Sequence, residues 1–310
     1  MKKKKISKPD LRVTVGGLRL QNPIIVASGT FGSSDEYANF VDLDRLGAVI
    51  TKSITLNARA GNKSPRICET ASGMLNAIGL ENKGVEYFLK TNIPFFKKYT
   101  TKLIVSIAGS TVHEYERLAH LLNKEKRVNA LEVNISCPNV KKGGIAFVRD
   151  IYQSRRIVEQ VKKEFARPVF VKISPEARDV EKLVHEVMKA GCDGISLINT
   201  IKGMAVDSKT RRPQLGNITG GLSGPAIKPI AIRYLYEIKQ RFNIPVIAGG
   251  GIMNANDALE FLIVGADAVS LGTANFVNPQ VSMEVIEELT KYLKEEKIKS
   301  VRDIIGTLTV

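Results

Sequence analysis

Polar or glycine residues follow eight short apolar segments of this 310-residue chain. A structural role needs only turn residues there, so polar groups after every segment indicate binding or catalysis. In chain order these residues are Ser28-Gly29, Lys52-Ser53, Ser106, Asn134 to Cys137, Lys172, Asn199-Thr200, Gly249 to Gly251 and Gly272-Thr273. Amide, hydroxyl and ammonium groups can bind a polar ligand, and a thiol can act as a nucleophile or accept a proton.

The fourth segment, LEVNIS, alternates apolar and polar residues. In a strand, Glu132, Asn134 and Ser136 share one face and the apolar residues between them share the other. Buried polar groups cost free energy unless they are hydrogen-bonded, so this face predicts either an internal network or a polar ligand. In the next segment Lys172 shares a face with Phe170, and a buried ammonium predicts an anionic or electron-rich ligand.

Cys137 directly follows this polar row and precedes Pro138. Its position predicts a nucleophile or a proton acceptor. No His lies nearby in sequence, which disfavours the Cys–His pair of an acyl-transfer enzyme. Cys68 and Cys192 are expected to be small buried apolar residues.

The apolar segments are rich in Val and Ile and alternate with amphipathic stretches, which predicts a repeated strand–helix order. The strand candidates are NPIIVAS, LGAVITKS, TKLIVSIAG, NALEVNIS, PVFVKIS, CDGISLINT, PVIAGGG and ADAVSLGT. The helix candidates are 84–98, 111–123, 149–164, 178–190, 225–241, 254–263 and 279–294, with a weaker one at 35–41. Eight such units predict one α/β domain over residues 1–310, a single (β/α)8 TIM barrel. A doubly wound open sheet is the alternative, but GxGxxG does not follow the first strand.

Other segments complete the predicted barrel. LRVTVGGLRL precedes the first strand and predicts an N-terminal β-hairpin that caps the barrel floor. Two long connections, 53–83 and 199–224, follow strands and would form long loops on the C-terminal face, where barrel enzymes hold their active sites. The loops after strands seven and eight commonly bind phosphate in this fold, and both contain glycine here, as does GGLSG, which ends at Gly224. A phosphorylated ligand is therefore predicted.

The composition excludes several classes of protein. The chain is 44% apolar and 25% charged, which is typical of globular proteins and not of disordered or collagen-like chains. Three scattered Cys cannot supply a disulfide framework or a four-thiolate cluster, and three His without HExxH spacing predict no metal. No apolar run reaches the ~20 residues of a membrane span, and the basic start lacks the apolar run of a signal peptide. We expect a cytoplasmic protein with no membrane association and a flexible basic tail over residues 1–10.

The net charge is +15, from 46 Lys and Arg against 31 Asp and Glu. A basic chain raises the question of nucleic acid, but the charges are scattered over helical faces apart from Lys2 to Lys5. A solvated surface is the favoured interpretation, and an acidic protein partner or small anionic ligands are the alternative.

Several motifs together resemble the dihydroorotate dehydrogenase family. The most specific are NISCPNVKKGG (134–144), NAIGLENKG (76–84) and LINTIKGMAVD (197–207). The segments NPIIVASGTFG, TKSIT, VKISP, GGLSGPAIKP, IPVIAGGGI and GADAVSLGT are also similar to that family. The resemblance covers about residues 11–280, nearly the whole chain.

The resemblance implies one FMN per chain and a set of site residues. Those implied around the flavin are Ser28, Lys52, Ser53, Ser106, Asn134, Lys172, Ile198 and Gly224, with the phosphate on Gly250, Gly251, Gly272 and Thr273. Those implied for the substrate are Lys52, Asn76, Ala77, Ile78, Gly79, Leu80, Asn134, Asn199 and Thr200. Many members have Asn where this chain has Ser106. A hydroxyl is shorter than an amide, so a water-bridged contact with the flavin is the alternative to a direct one.

The resemblance also implies the reaction, the oxidation of (S)-dihydroorotate to orotate in pyrimidine (UMP) biosynthesis. Cys137 would take the C5 proton and FMN the C6 hydride, while Lys172 stabilises the charge of the reduced flavin. Cys at this position matches class 1 rather than the membrane-bound, quinone-linked class, which carries Ser. PNVKKGG resembles the NAD-linked class 1B subgroup. That subgroup implies a homodimer joined by a partner subunit with FAD and a [2Fe–2S] cluster, a heterotetramer.

Three alternatives stay open at this point. The first is a fumarate-linked class 1A enzyme of the same family. The second is a phosphate-binding barrel aldolase or isomerase that uses Lys172 as a Schiff-base amine. The third is a non-catalytic or nucleic-acid-binding barrel, suggested by the net charge.

Overall fold

The computed structural model describes residues 8–32, 36–135 and 150–310. Their strands are β1 (Val13–Val15), β2 (Leu18–Leu20), β3 (Ile24–Val26), β4 (Ala48–Ile50), β5 (Ile67–Thr70), β6 (Gly73–Asn76), β7 (Lys102–Ile107), β8 (Ala130–Asn134), β9 (Val169–Lys172), β10 (Gly194–Leu197), β11 (Ile201–Met204), β12 (Val206–Asp207), β13 (Arg212–Pro213), β14 (Thr219–Ser223), β15 (Val246–Ala248) and β16 (Ala268–Leu271).

Eight of these strands form a closed parallel barrel in the order β3-β4-β7-β8-β9-β10-β15-β16. The pairing of β16 with β3, which sets Ser270 opposite Ile25, closes it. The eight strands coincide with the eight apolar segments of the sequence, so the predicted (β/α)8 barrel is confirmed. Val and Ile dominate these strands because β-branched side chains pack well on a pleated, buried surface.

The N-terminal hairpin is also present. β1 and β2 are antiparallel, with Val15 paired with Leu18, and the turn uses Gly16 and Gly17 at φ +51° and +81°. A Cβ on Gly16 would lie 2.6 Å from the Asp193 carbonyl oxygen and 3.0 Å from Phe170 Cε1. These contacts place the turn against the start of β10 and the lower interior of the barrel, as the floor-cap prediction requires.

Helices connect the barrel strands. They are α1 (Gly84–Tyr87), α2 (Ile93–Phe96), α3 (Val112–Asn123), α4 (Ile151–Glu164), α5 (Val180–Lys189), α6 (Lys228–Arg241), α7 (Ala255–Val264), α8 (Ala274–Val277) and α9 (Val281–Glu295). A π-helical segment, Phe88–Asn92, joins α1 to α2. The weaker helix prediction at 35–41 is wrong for its described part, because residues 36–40 form turns.

Side-chain caps fix where several helices begin. Thr111, Asp150, Asp179 and Asn254 each accept a hydrogen bond from a backbone N–H in the first turn of α3, α4, α5 and α7. Short polar side chains at this position satisfy N–H groups that have no partner inside the helix. None of the described helices has the length and hydropathy that a bilayer span needs.

The two long connections form structure that the sequence patterns did not reveal. They pair with each other in a four-stranded antiparallel sheet of order β11-β14-β6-β5. Leu222 of β14 lies opposite Leu75 of β6, and a small apolar cluster of Leu75, Ala77 and Leu215 is buried there. Strand pairing in this sheet thus holds residues 67–76 next to residues 201–223.

Candidate active site

Ser53, Ser106 and Asn134 form a hydrogen-bonded cluster near the C-terminal ends of β4, β7 and β8. The Asn134 Nδ2 atom donates to Ser53 Oγ at 2.9 Å, and the Ser53 and Ser106 Oγ atoms are 2.8 Å apart. All three side chains are buried. The Tyr115 hydroxyl of α3 donates to the backbone carbonyl of Asn134 at 2.8 Å. The internal network predicted from LEVNIS is therefore present for Asn134 and holds its amide in place.

Two lysines belong to the same set of strand ends. Lys172 ends β9 in register with Asn134 of β8 and Ser196 of β10. It is half-buried and makes no ion pair with any residue that the structure describes. Lys52, which follows β4, lies 3.7 Å from the Glu81 carboxylate, and both side chains are partly exposed. An exposed pair at this distance is weak, so Lys52 is available to a ligand.

Three glycines predicted for the flavin site are required by the backbone itself. Gly224, Gly250 and Gly251 have φ of +94°, +132° and +81°. A Cβ on Gly250 would lie 2.9 Å from Ala231 Cβ, and one on Gly251 would lie 2.9 Å from the Gly224 carbonyl oxygen. Only glycine combines these conformations with this crowding. These glycines are explained by the fold and do not by themselves indicate a ligand.

Gly272 is different. It has no positive φ, and the atoms nearest to an added Cβ, on Ala27 and Thr30, are 3.8 Å away. Every other glycine of the described ranges has either a positive φ or an atom within 3.0 Å of such a Cβ. The packing of the described residues therefore leaves Gly272 unexplained. Close approach of the backbone to a ligand is a common reason for such a glycine. The next residue, Thr273, hydrogen-bonds through Oγ1 to Ser223 Oγ at 2.8 Å.

The segment predicted to bind the substrate lies against the antiparallel sheet. Asn76 Nδ2 donates to the Gly221 carbonyl at 3.3 Å, and a Cβ on Gly221 would lie 2.0 Å from Thr200 Oγ1. Asn76 and Thr200 therefore meet at the same backbone position. The Asn199 side chain accepts from the Thr200 N–H at 2.8 Å. The remaining members, Ala77, Ile78, Gly79 and Leu80, continue the chain from Asn76, with Gly79 and Leu80 at positive φ.

Other predicted residues occupy the same end of the barrel. Ser28 is half-buried just after β3. Ile198 is buried, its N–H donates to the Gly249 carbonyl at 2.9 Å, and its Cγ1 would lie 3.4 Å from a Cβ on Gly250. Cys137, the predicted base, lies outside the described residues, so its position in the site stays a prediction.

The other two thiols are poor candidates for proton transfer. Burial raises the pKa of Cys68. Burial, with the nearby Asp193 carboxylate, raises the pKa of Cys192 to about 12. A thiol whose pKa is raised holds its proton at neutral pH and is a weak nucleophile. Both thiols are half-buried rather than fully buried, so the sequence prediction of small buried residues is wrong in its extent of burial.

The structure adds three residues that the motifs did not single out. Glu81 contacts Lys52, Ser223 contacts Thr273, and Gly221 lies between Asn76 and Thr200. Glu81 lies in NAIGLENKG, and Gly221 and Ser223 both lie in GGLSG. Their partners are far away in sequence, and no spacing rule predicts such contacts.

Comparisons with known proteins agree with this geometry. The family model described as dihydroorotate dehydrogenase matches residues 10–293. The chain belongs to the dihydroorotate dehydrogenase family. A catalytic subunit of dihydroorotate dehydrogenase B (NAD(+)) from Desulforamulus reducens is 50% identical over 96% of this chain and 98% of its own length. One of the same name from Geotalea uraniireducens is 48% identical over 98% and 99%.

A solved dihydroorotate dehydrogenase shares the fold. The crystal structure of the Eimeria tenella enzyme in complex with ferulenol superposes with a TM-score of 0.80 and covers 98% of this chain and 90% of that chain. Its identity is 24%, so the likeness concerns architecture alone. None of these comparisons supports the aldolase or the nucleic-acid-binding alternative.

Proposed function

We propose that this chain is the catalytic subunit of an NAD-linked dihydroorotate dehydrogenase that oxidises (S)-dihydroorotate to orotate in UMP biosynthesis. Family membership and two relatives named catalytic subunits of the NAD(+) enzyme support the reaction and its acceptor. The structural observation that carries the proposal is Gly272. At the predicted phosphate position after β16, glycine is present although neither conformation nor packing requires it. The fumarate-linked alternative is not favoured by the relatives' names.

The residues present fit FMN. The proposed phosphate position combines the backbone of Gly250, Gly251 and Gly272 with the Thr273 hydroxyl. Backbone N–H groups freed of side chains are the usual phosphate ligands after strands seven and eight of a barrel. On the isoalloxazine side we assign Ser28, Lys52, Ser53, Ser106, Asn134, Lys172, Ile198 and Gly224. When bound, FMN supplies the acceptor for the hydride that leaves C6 of dihydroorotate.

Side chains and backbone groups of this chain remove the proton and bind the substrate. Cys137, as thiolate, takes the proton from C5 while the hydride leaves C6, which produces the double bond of orotate. Asn134 offers an amide whose Nδ2 donates to Ser53, and the Tyr115 hydroxyl donates to the Asn134 backbone carbonyl at the end of β8. Asn76, Asn199 and Thr200, with the backbone of residues 77–80, hold the polar edges of the pyrimidine. Lys52 and Lys172 supply positive charge to the substrate carboxylate and to the flavin.

The phosphate position can be tested with Gly272→Ala. We expect the apoprotein of this variant to keep its Tm, because the added methyl would lie 3.8 Å from Ala27 and Thr30, an ordinary van der Waals distance. Its FMN affinity should fall at least about tenfold, or about 1.4 kcal/mol. Riboflavin, which lacks the phosphate, should lose much less. Fluorescence titration of apoprotein with both flavins measures the two affinities.

Gly191→Ala is the matched control. Gly191 has φ +86° and nothing within 4 Å of an added Cβ, and it lies just beyond α5. Alanine there should lower the Tm through backbone strain without changing FMN affinity. If FMN does not bind the wild type, or binds Gly272→Ala as tightly as the wild type, the phosphate assignment is wrong.

Cys137→Ala tests the base. The variant should retain FMN but reduce it far more slowly with dihydroorotate, because no group takes the C5 proton. In the wild type, reduction should accelerate as pH rises toward about 8.5, the ordinary pKa of a thiol. Rapid-mixing absorbance measures the rate, and Cys68→Ala is the control with normal reduction. Near-normal reduction in Cys137→Ala would remove this thiol from the mechanism.

We further propose a partner subunit with FAD and a [2Fe–2S] cluster, joined to a dimer of this chain. The words "catalytic subunit" in the relatives' names support a second polypeptide. The purified chain should reduce artificial dyes with dihydroorotate but should reduce NAD only when the partner is co-expressed. Rapid NAD reduction by the lone chain would contradict the two-subunit assembly, and rapid fumarate reduction would favour the class 1A alternative.

A further inference from the structure

Lys228, the first residue of α6, makes two ion pairs that the proposed mechanism does not use. Its Nζ atom lies 2.6 Å from Asp257 Oδ1 and 3.0 Å from Glu260 Oε1, and both carboxylates belong to α7. The side chains of Lys228 and Asp257 are only 25% and 11% exposed. Burial lowers the pKa of Lys228, but the hydrogen bonds and charges of the two carboxylates outweigh it and raise that pKa. A charged ammonium therefore links the start of α6 to the start of α7.

The Asp257 carboxylate also holds the loop that follows β15. Its second oxygen, Oδ2, accepts a hydrogen bond from the Met253 N–H at 2.8 Å. The Asp257 N–H donates in turn to the Asn254 side chain at 3.0 Å, as part of the cap of α7. A carboxylate that binds an ammonium through one oxygen and a backbone N–H through the other has its orientation set by both. The pair of Lys228 and Asp257 thus fixes Met253, which is two residues beyond Gly251.

The other end of the same loop packs on Lys228 itself. A Cβ on Gly251 would lie 2.7 Å from Lys228 Cβ and 2.9 Å from the Lys228 backbone nitrogen. A Cβ on Gly250 would lie 2.9 Å from Ala231 Cβ, one turn further along α6. Residues 250–253 are therefore held between the first turns of α6 and α7, and Lys228 takes part at both ends. Backbone N–H groups bind an anion only when the loop directs them toward it, so this support bears on the phosphate position.

We propose that Lys228 and Asp257 are positioning residues for the flavin phosphate, because their ion pair holds the loop that carries Gly250 and Gly251. This inference rests on the proposed function. Two carboxylates engage the Lys228 ammonium, so it acts through the loop and not as a ligand of the phosphate. The consequence is specific to the phosphate group, since the groups assigned to the isoalloxazine ring belong mostly to other strand ends.

The test compares the affinities of apoprotein for FMN and for riboflavin, which lacks the phosphate, by fluorescence titration. Lys228→Met keeps most of the side chain and removes the ammonium. It should lower the ratio of FMN affinity to riboflavin affinity about tenfold. Asp257→Asn should lower the ratio by a similar factor, because an amide offers one acceptor oxygen in place of two. In the double variant the fall should stay near that of either single variant, because the two residues act as one unit.

Lys239→Met is the matched control at the opposite end of the same helix. Lys239 Nζ lies 3.4 Å from the Asp267 carboxylate, and the Lys239 side chain is 23% exposed. That carboxylate also accepts from a backbone N–H, that of Val246 at the start of β15, at 2.8 Å. The arrangement is the same as at Lys228 but lies at the end of β15 away from the glycine loop. Lys239→Met should lower the Tm of the apoprotein, as Lys228→Met does, and should keep the wild-type affinity ratio.

The outcomes separate this inference from the proposed function. A wild-type ratio in Lys228→Met, an equal fall in Lys239→Met, or additive falls in the double variant would overturn the inference and leave the phosphate assignment intact. A wild type that binds FMN no more tightly than riboflavin would overturn both. If Lys228→Met does not fold, the ratio in Asp257→Asn, which keeps the side-chain shape, decides the question against the same control.

Discussion

At the scale of single residues, Ser106 shows how a small buried side chain takes part in a hydrogen-bonded network. Its hydroxyl is fully buried and pairs with Ser53, which in turn accepts from Asn134. The backbone N–H of Ser106 also donates to Thr51 Oγ1 at 3.2 Å. Ser106 thus belongs to the network that orients Asn134, whether or not it also contacts the flavin.

Removing that hydroxyl should disturb the network. We expect Ser106→Ala to lower the free energy of unfolding by about 1 kcal/mol and to weaken FMN binding several-fold, since Ser53 loses a partner. Urea unfolding and flavin titration measure the two effects. Thr307→Ala, which removes a local hydrogen bond to the Ile304 carbonyl, is the control that should affect stability alone. Equal FMN affinity in both variants would show that Ser106 has only a structural role.

The alternation in LEVNIS was enough to predict that Glu132 and Asn134 face the barrel interior, because strand periodicity is local. It could not predict that the Asn134 side chain has a hydrogen-bond partner whereas the Glu132 carboxyl group has none among the described residues. That difference depends on Ser53, which lies 81 residues from Asn134 in sequence. Similarly, the sequence predicts a ligand-binding glycine after the last strand, but only the surrounding atoms distinguish Gly272 from the glycines that the backbone requires.

The raised pKa of Cys192 makes a prediction about thiol reactivity. At pH 8 a thiol with a pKa of about 12 is almost entirely protonated, whereas an ordinary thiol is about one quarter thiolate. Iodoacetamide should therefore modify Cys192 at least about tenfold more slowly than Cys137 in the native protein. Mass spectrometry of timed digests measures both rates. Comparable rates in the folded protein, with equal rates in urea as reference, would contradict this assignment.

At the scale of elements, Arg167 joins the end of α3 to the start of β9. Its guanidinium donates to the carbonyls of Leu122 and Asn123 at 3.0 and 2.9 Å, to Glu125 at 2.7 Å and also to Val128. Burial lowers the pKa of Arg167, and the nearby Glu125 carboxylate opposes that shift. The last carbonyls of a helix have no partner inside it, so this one side chain satisfies several of them.

Arg167→Met should destabilise the fold. The variant removes all four guanidinium hydrogen bonds, including that to the buried Val128 carbonyl, and we expect a loss of about 2–4 kcal/mol in the free energy of unfolding. Arg156→Met on α4 is the matched control, because Arg156 is exposed and should change stability by less than about 0.5 kcal/mol. Urea denaturation followed by circular dichroism gives both values. A similar loss in the two variants would show that Arg167 is not a structural clamp.

The barrel elements were predictable because each strand and helix carries its own hydrophobic period. The antiparallel sheet was not, because its strands are short and pair across long stretches of chain. Gly203 of β11, for example, lies opposite Gly220 of β14, and Leu222 of that strand lies opposite Leu75 of β6. The small buried apolar cluster of this sheet takes residues from both long connections. The hydrophobic pattern of one connection alone therefore does not reveal the sheet.

At the scale of the whole molecule, Asp10 joins the two ends of the described chain. Its N–H donates to the Lys299 carbonyl at 2.8 Å, and its carbonyl accepts from the Val301 N–H at 2.9 Å. Its carboxylate lies 2.8 Å from Arg12 Nε and 3.1 Å from Arg302. Residues before the first barrel strand are therefore held against residues after the last helix, which closes the chain around the barrel.

This junction predicts a pH dependence. Hydrogen bonds from Arg12, then the charges of Arg12 and Arg302, lower the pKa of Asp10 from 3.8 to about 2. A lowered pKa means that the carboxylate stabilises the folded state. Its contribution is complete above about pH 4 and is lost as pH falls through about 2. Asp10→Asn should therefore unfold at lower urea than the wild type at pH 7, and the difference should shrink between pH 4 and the lowest pH at which both variants still fold.

Glu69→Gln is the control for this pH series, because Glu69 is an exposed carboxylate without an ion pair in the described ranges. Its urea midpoint should follow that of the wild type at every pH. A difference between Asp10→Asn and the wild type that stays constant down to the acid limit would mean that the junction is held by its backbone hydrogen bonds alone. The Asp10 carboxylate would then contribute nothing to joining the chain ends.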